Sequence, residues 1–283
     1  MPKIVKLTDR IQYLQVSYEP LSADVVAVRG NSAWWIFDGG ASDEAVDFIN
    51  ALPRNPVSEN AATASIPLKK NIVISHFHRD HLLNVVRHCS GEISLDFDAL
   101  YVGSHASKVV GEIAGREKIT VTSPLSFDDG VHIEILTIPN SHAKGSLALI
   151  VDDFVFLGDA TYPMVGHGEP DVYNVQILEQ QIKMLKTLTP TRFCLSHKRG
   201  LVRDKTSVVQ FLEFVYARRQ KNENYIVAWF GILKKRKMRK NATTKPKKLS
   251  LVAWFYNKVI RFVVVKHKVC LKMLLNDVKI HDW

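Results

Sequence analysis

The stretch "NIVISHFHRDHLLN", residues 71–84, places three histidines and an aspartate directly after an apolar run. Ile72, Val73 and Ile74 predict a short buried strand. The polar residues that follow cannot remain extended and buried, because ionisable side chains lose too much hydration free energy in an apolar interior. These residues are His76, His78, Asp80 and His81. Either the segment is a solvated loop that happens to be rich in histidine, or its side chains together bind another molecule or ion.

The positive charge of the chain is confined to its C-terminal end. The 283 residues carry a formal net charge of +10. Residues 1–230 contribute 23 Lys and Arg against 26 Asp and Glu, whereas residues 231–283 contribute 15 against 2. The basicity therefore says nothing about the substrate of the main body. We expect that body to span residues 1–222, followed by a basic C-terminal extension over 223–283.

The remaining composition predicts a soluble cytoplasmic protein. Three scattered cysteines are too few for a disulfide framework or a thiolate zinc cluster. The N-terminal residues contain no apolar core of signal-peptide length. Every apolar stretch is shorter than the roughly 20 residues that a membrane span requires. Nothing in the sequence indicates the oligomeric state.

Two hairpins with the same plan organise the body. Residues 24–40, "DVVAVRGNSAWWIFDGG", predict two strands around a tight turn, and the second strand ends in Asp38. Residues 145–161, "GSLALIVDDFVFLGDAT", repeat this plan and end in Asp159. The likeness is a weak internal repeat, and it predicts two related halves rich in strands.

Helices separate the predicted strands. Residues 42–52 predict a helix with Ser42 as its N-cap, and residues 174–188 and 207–220 predict two more. A further helix should follow the histidine-rich segment, and residues 53–67 should form an exposed loop. Strands in two batches with helices between them predict an α/β architecture, in which two sheets are faced by helices.

Three further ligand-type residues stand at the ends of predicted strands: His142, Asp159 and His197. With the earlier four they make seven side chains that can bind a metal. Imidazole and carboxylate donors without thiolate suit zinc, or a harder metal such as iron or manganese. Seven donors exceed what one tetrahedral ion needs. Two divalent metal ions that share a bridging carboxylate would use them all.

At these residues the sequence resembles the metallo-β-lactamase fold hydrolases. Their signature His-x-His-x-Asp-His is present as "HFHRDH", and His, Asp and His follow at increasing distances. The resemblance includes "FDGG" after the first hairpin and "IPNSHAKGS" around His142, and it extends over about residues 3–220. It implies an αββα sandwich, which agrees with the paired hairpins.

The resemblance also implies a role for each ligand. His76, His78 and His142 should hold one metal, and Asp80, His81 and His197 should hold the second. Asp159 should bridge the two ions, and Asp38 should orient a ligand histidine from behind. Asp80 and Asp159 are the residues expected to be catalytic.

Two departures from the family pattern bear on the substrate. An extra residue precedes His142 in "PNSH", and Ala143 follows it. Asp159 stands where the lactam-cleaving members usually have cysteine or another arrangement that does not bridge, which points to the members that cleave thioesters, lactones or phosphodiesters. A metal-bridging hydroxide would attack such a small-molecule substrate, since coordination lowers the pKa of water to about 7. The alternatives are a nuclease-like phosphodiesterase acting on nucleic acid and a non-catalytic metal-binding module.

Tyr162, Lys198 and Arg199 lie next to predicted ligands and could contact the substrate. A tyrosine hydroxyl can stabilise an oxyanion, and a guanidinium can bind a carboxylate or phosphate. The alternative for these three is a packing tyrosine and two solvated cations.

The basic extension begins with the cationic run 234–248 and continues, over 249–275, with aromatic and β-branched residues interspersed with Lys and Arg. Three interpretations remain open. The extension could lie on an anionic membrane, it could bind nucleic acid electrostatically, or it could be a segment without a selected function.

Overall fold

The computed structural model describes residues 3–55, 67–167, 169–198 and 200–228 of the chain. Most of the predicted loop, residues 56–66, lies outside the described residues, and so does the chain from residue 229 onward. Within the described part, no helix combines the length and the apolar character that crossing a bilayer demands.

The first half of the body interleaves short strands with three helices. Its strands are β1 (Ile4–Lys6), β2 (Ile11–Leu14), β3 (Ser17–Tyr18), β4 (Leu21–Ser22), β5 (Val25–Arg29), β6 (Ala33–Phe37), β7 (Lys69–Ile74), β8 (Ala99–Val102) and β9 (Glu117–Thr120). Its helices are α1 (Asp43–Ala51), α2 (Arg79–Cys89) and α3 (Ser104–Val110). Ser42 caps α1 as predicted, because its side chain accepts a hydrogen bond from the Ala45 N–H.

The second half repeats this alternation with longer helices. Its strands are β10 (Leu125–Asp128), β11 (His132–Ile138), β12 (Ser146–Val151), β13 (Phe154–Gly158), β14 (Val172–Asn174), β15 (Arg192–Leu195), β16 (Val202–Asp204) and β17 (Tyr225–Val227). Its helices are α4 (Val175–Thr187) and α5 (Lys205–Ala217). The Asn174 side chain caps α4 and the Asp204 side chain caps α5.

Each half contributes one large mixed sheet. The first sheet has the strand order β1-β2-β5-β6-β7-β8-β9, and the second has the order β10-β11-β12-β13-β15-β16. In both sheets a hairpin is followed by a parallel strand: β6 pairs with β7, and β13 pairs with β15. The predicted repeat of the two hairpins therefore extends to the strand that follows each of them.

The hydrophobic core consists of three layers, which define an αββα sandwich. The middle layer lies between the sheets and contains Trp35 and Phe37 from the first and Phe156 from the second. One outer layer joins the first sheet to α1, α2 and α3, and the other joins the second sheet to α4 and α5. The residues of β6, β12 and β13 are buried throughout, because both faces of these central strands are covered. The predicted α/β sandwich is confirmed.

The body extends beyond the boundary that we predicted at residue 222. Strand β17 pairs antiparallel with β14, and Ile226 and Ala228 lie in the core beside α4 and α5. The compact unit accordingly ends at Ala228. A three-residue strand is too short to be recognised from its own pattern, and its partner β14 lies far away in the sequence. The end of this unit lies six residues after the predicted boundary at residue 222.

Candidate metal centre

The seven predicted ligands all lie where loops leave strands or where a helix begins. His76 and His78 follow β7, and Asp80 and His81 lie in the first turn of α2. His142, Asp159 and His197 follow β11, β13 and β15 in turn. Strand β7 belongs to the first sheet, whereas β11, β13 and β15 belong to the second, and the loops after these four strands bring the side chains together.

The structure assembles these side chains into two groups. The first contains His76, His78 and His142, and the second contains Asp80, His81, Asp159 and His197. Within each group, one nitrogen or oxygen atom of every side chain lies within 4.8 Å of the others. The first group is the set predicted for one ion, and the second is the set predicted for the other ion together with Asp159.

Asp159 lies between the two groups. Its Oδ2 atom is 3.5 Å from His142 Nε2 in the first group. The same oxygen is 3.4 Å from His81 Nε2 and 3.6 Å from His197 Nε2 in the second. The Asp159 carboxylate is therefore close to the side chains of both groups.

Three buried atoms of the predicted ligands lack a hydrogen-bond partner among the described residues: His76 Nε2, Asp159 Oδ1 and His197 Nδ1. A buried acceptor without a partner costs about 1–3 kcal/mol, and more when it is charged. Imidazole nitrogens and carboxylate oxygens are atoms that bind transition metals. The donor set therefore fits divalent cations.

The imidazole rings of the centre are oriented by partners behind them. Asp38 Oδ2 lies 2.8 Å from His81 Nδ1, and the Pro163 carbonyl lies 2.8 Å from His142 Nδ1. The Ser75 hydroxyl lies 3.0 Å from His76 Nδ1. Each contact holds the Nδ1 atom and directs Nε2 toward the centre, which is the common arrangement around bound metals.

The protonation of the centre follows from burial and charge. Burial lowers the pKa of His76, and it lowers the pKa of His78 to about 4, so both rings are neutral at pH 7. Burial opposes the charged form of His81, but the carboxylates of Asp38 and Asp159 outweigh it and raise the pKa of His81. The His81 and His197 imidazoles in turn lower the pKa of Asp159 against the effect of its burial. A metal in the second group would therefore displace a proton on binding.

Comparison with known proteins identifies the architecture. No family model and no curated protein matches the sequence. A metallo-beta-lactamase from Pontibacter korlensis superposes with a TM-score of 0.53 at 12% identity, over 78% of this chain and 100% of its own. A variant of the flavo di-iron protein of Thermotoga maritima gives 0.53 at 15% identity, over 78% of this chain and 64% of its own. A B3 metallo-beta-lactamase with an active-site glutamic acid gives 0.53 at 11% identity, over 77% and 90%.

The chain has the metallo-β-lactamase fold. The resemblance indicated by "HFHRDH" is thereby confirmed at the level of the fold, and identities of this size carry no further conclusion. Within this metallo-β-lactamase fold the two groups of ligands occupy the edge of the sandwich to which the loops after β7, β11, β13 and β15 lead.

Two of the three residues predicted to contact substrate, Tyr162 and Lys198, have protein partners among the described residues. The Tyr162 hydroxyl donates a hydrogen bond of 2.5 Å to the Ser196 carbonyl. The Lys198 ammonium lies 5.2 Å from the centre of the Tyr162 ring. Arg199 lies outside the described residues. A role in substrate binding stays a prediction for Tyr162, Lys198 and Arg199.

The sequence did not point to three residues that support the centre. Ser75 donates to Asp38 through its backbone N–H and its hydroxyl, and its place between a buried strand and His76 was a usable signal. The Pro163 carbonyl is a backbone atom and leaves no trace in the residue pattern. Asp24 accepts from the His197 N–H, although 173 positions separate the two residues.

Proposed function

We propose that the chain is a dinuclear metal-dependent hydrolase that cleaves an ester, thioester, lactone or phosphodiester. His76, His78 and His142 would hold one divalent ion, and Asp80, His81 and His197 would hold the other. The observation that carries this proposal is the position of Asp159, whose buried carboxylate contacts both groups.

The chemistry of the proposed reaction is divided between the ions and the chain. The bound ions would supply a hydroxide at neutral pH and an electrophile, since coordination lowers the pKa of water from about 16 to about 7. The chain holds the ligand rings through Asp38, Ser75 and Pro163. It also holds two ionised carboxylates at the centre, because the pKa values of Asp80 and Asp159 are lowered. Such a reaction needs no protein nucleophile.

Zinc and iron both suit the proposed site. Imidazole and carboxylate donors are compatible with either metal. The flavo di-iron protein among the similar structures is by its name an iron protein, whereas the two metallo-beta-lactamases are named for hydrolysis of a lactam. Metal analysis of the purified chain therefore has to measure both elements, together with manganese.

Metal content and hydrolysis are the direct test. The full chain should contain about two ions per molecule, and chelation should abolish hydrolysis of at least one member of a thioester, lactone and phosphodiester panel. His78→Ala should lose metal, whereas His132→Ala should not, because His132 is an exposed histidine on β11. Less than one ion per chain in the wild type would contradict the proposal.

Two other results would select the alternatives. Two bound ions without hydrolysis of any member of the panel would indicate a non-catalytic metal-binding module. Chelator-sensitive cleavage of nucleic acid that disappears when residues 229–283 are removed would indicate a nuclease-like phosphodiesterase. The second outcome would give the net positive charge of that segment a function in binding phosphates.

A further inference from the structure

The peptide unit between Ser196 and His197 is held by hydrogen bonds on several sides; we call it the His197 peptide. The Tyr162 hydroxyl donates to its carbonyl oxygen at 2.5 Å. Its N–H group donates to Asp24 Oδ2 at 3.1 Å. The Ser196 N–H, one peptide earlier, donates to the Gly158 carbonyl at 3.1 Å. Both polar groups of the His197 peptide are therefore bound to side chains.

His197 needs this support because its backbone is in an unfavourable conformation. Its φ angle is 59°, in the left-handed region. A residue with a Cβ atom pays about 1–2 kcal/mol for this region, and it stays there only when its surroundings fix it. The conformation directs the imidazole inward, so that His197 Nε2 lies 2.9 Å from Asp80 Oδ2.

The two side chains that hold the His197 peptide come from opposite halves of the body. Asp24 directly precedes β5, is 3% exposed, and accepts a second hydrogen bond from the Val16 N–H. Tyr162 closes the turn that follows β13, because its N–H donates to the Asp159 carbonyl at 2.9 Å. The peptide of one ligand is thus connected to the turn that carries another.

We propose that Asp24 and Tyr162 are positioning residues for the ion held by Asp80, His81 and His197. They would act through the His197 peptide, which they keep in the left-handed conformation that the ligand position requires. This inference rests on the proposed dinuclear site.

The proposal predicts a selective effect on metal affinity. Loss of either hydrogen bond would let the His197 backbone relax and would weaken binding in the second group by about 10–100-fold. The first group receives no ligand from this loop, so its affinity should change by no more than about twofold. A variant that only lowered the stability of the whole fold would instead weaken metal binding in both groups alike.

The test compares Tyr162→Phe, Asp24→Asn and the double variant with two matched controls. Tyr101→Phe removes a hydroxyl from a tyrosine outside the metal centre, on β8. Asp129→Asn changes another buried carboxylate that accepts backbone N–H groups. Each variant is made in the full-length chain. In Asp24→Asn the amide can accept from only one of its two present donors.

Zinc affinity is measured by competition with a chelator in two backgrounds. His78→Ala reports on the second group, and Asp80→Ala reports on the first. We expect weakening only in the His78→Ala background, and only for the Tyr162 and Asp24 variants. Both residues hold the same peptide, so their effects on zinc affinity should not be independent. The fold-loss of affinity in the double variant should be smaller than the product of the two single fold-losses, by about threefold or more.

Three outcomes would overturn the proposal: unchanged affinity in the His78→Ala background, equal losses in both backgrounds, or the same losses in the controls. Failure of the proposed function looks different, because the wild-type chain itself would then bind fewer than two zinc ions. A wild type with two ions and insensitive variants contradicts only the role of the His197 peptide.

Discussion

Asp38 and Asp159 occupy the same place in two hairpins of the same design, yet they face His81 from opposite sides. Asp38 contacts the Nδ1 atom at 2.8 Å, and Asp159 contacts the Nε2 atom at 3.4 Å. Both oxygens of Asp38 accept hydrogen bonds, two of them from Ser75, whereas Asp159 keeps one buried oxygen without a partner. A repeated element thus provides an orienting carboxylate in one half and a candidate metal ligand in the other.

The largest effect on metal content and hydrolysis is expected from substituting these two aspartates one at a time. Asp159→Asn should remove at least one of the two ions and lower hydrolysis by more than about 100-fold, because it alters the donor shared by both groups. Asp38→Asn should keep both ions at saturating metal and cost about 10–100-fold in affinity. Metal content after dialysis and chelator competition would measure the two effects.

The substitution to asparagine keeps the shape of both side chains, so the comparison isolates charge and donor type. Asn also tolerates the left-handed conformation of Asp38, whose φ angle is 67°. Equal metal content in the wild type and Asp159→Asn would show that Asp159 does not bridge. A greater loss in Asp38→Asn would reverse the assignment of the two roles.

The two halves also show how far sequence reasoning reaches. The hairpins could be predicted because two apolar runs flank a tight turn in each, and α4 because its apolar residues recur with the period of a helix. The ligands could be predicted because they are ionisable residues at the ends of apolar runs. The contact of Asp24 with His197 could not, since it depends on how two distant loops meet. Strand β17 was missed because three residues carry no period.

A second matched pair consists of two lysines that bind the carbonyls at the end of a helix. Lys70 in the first half donates to the Ile49 and Asn50 carbonyls of α1, with no exposure to solvent. Lys205 in the second half donates to the Lys186 and Leu188 carbonyls at the end of α4 and is only partly buried. Because Lys70 is more buried than Lys205, it should contribute more to the free energy of unfolding.

Lys70→Met should therefore destabilise the fold more than Lys205→Met. The first variant leaves buried carbonyls without a donor and removes a partner of Asp96, which lies 2.8 Å from Lys70 Nζ; we expect a cost of about 2–4 kcal/mol. The second leaves carbonyls that water can reach, at a cost of about 0.5–1 kcal/mol. Urea denaturation of the metal-loaded chains would measure both. Equal costs would show that burial does not control the contribution.

The pairing of β14 with β17 distinguishes the second half and gives a smaller expected effect. A chain that ends at Ala228 should unfold like the full chain, whereas a chain that ends at Asn222 should lose about 2 kcal/mol of stability. The reason is that the shorter chain lacks Ile226, which is 4% exposed in the core. Thermal unfolding would separate the two. Equal stability of both truncated chains would restore the boundary at residue 222.

The smallest expected effect concerns acid stability and compares Asp96 in the first half with Asp153 in the second. Hydrogen bonds from Arg54 lower the pKa of Asp96 from 3.8 to about 2, and Lys70 contributes further. The pKa of Asp153 is lowered mainly by the Thr191 N–H. A carboxyl group whose pKa is lower in the folded state stabilises the fold above its unfolded pKa. It loses that contribution as the pH falls toward the folded value.

Asp96→Asn should consequently cost less than about 1 kcal/mol at pH 7, because the Asp96 side chain is 41% exposed and solvent screens its pairs. The difference from the wild type should shrink as the pH falls from 4 to 2, since protonation removes the same charge from the wild type. Measuring both proteins by urea denaturation at each pH cancels the effect of metal loss in acid. Asp153→Asn should show the same sign with a smaller amplitude, because its main partner is an uncharged N–H. A cost for Asp96→Asn that stays constant from pH 7 to pH 2 would attribute it to packing rather than charge.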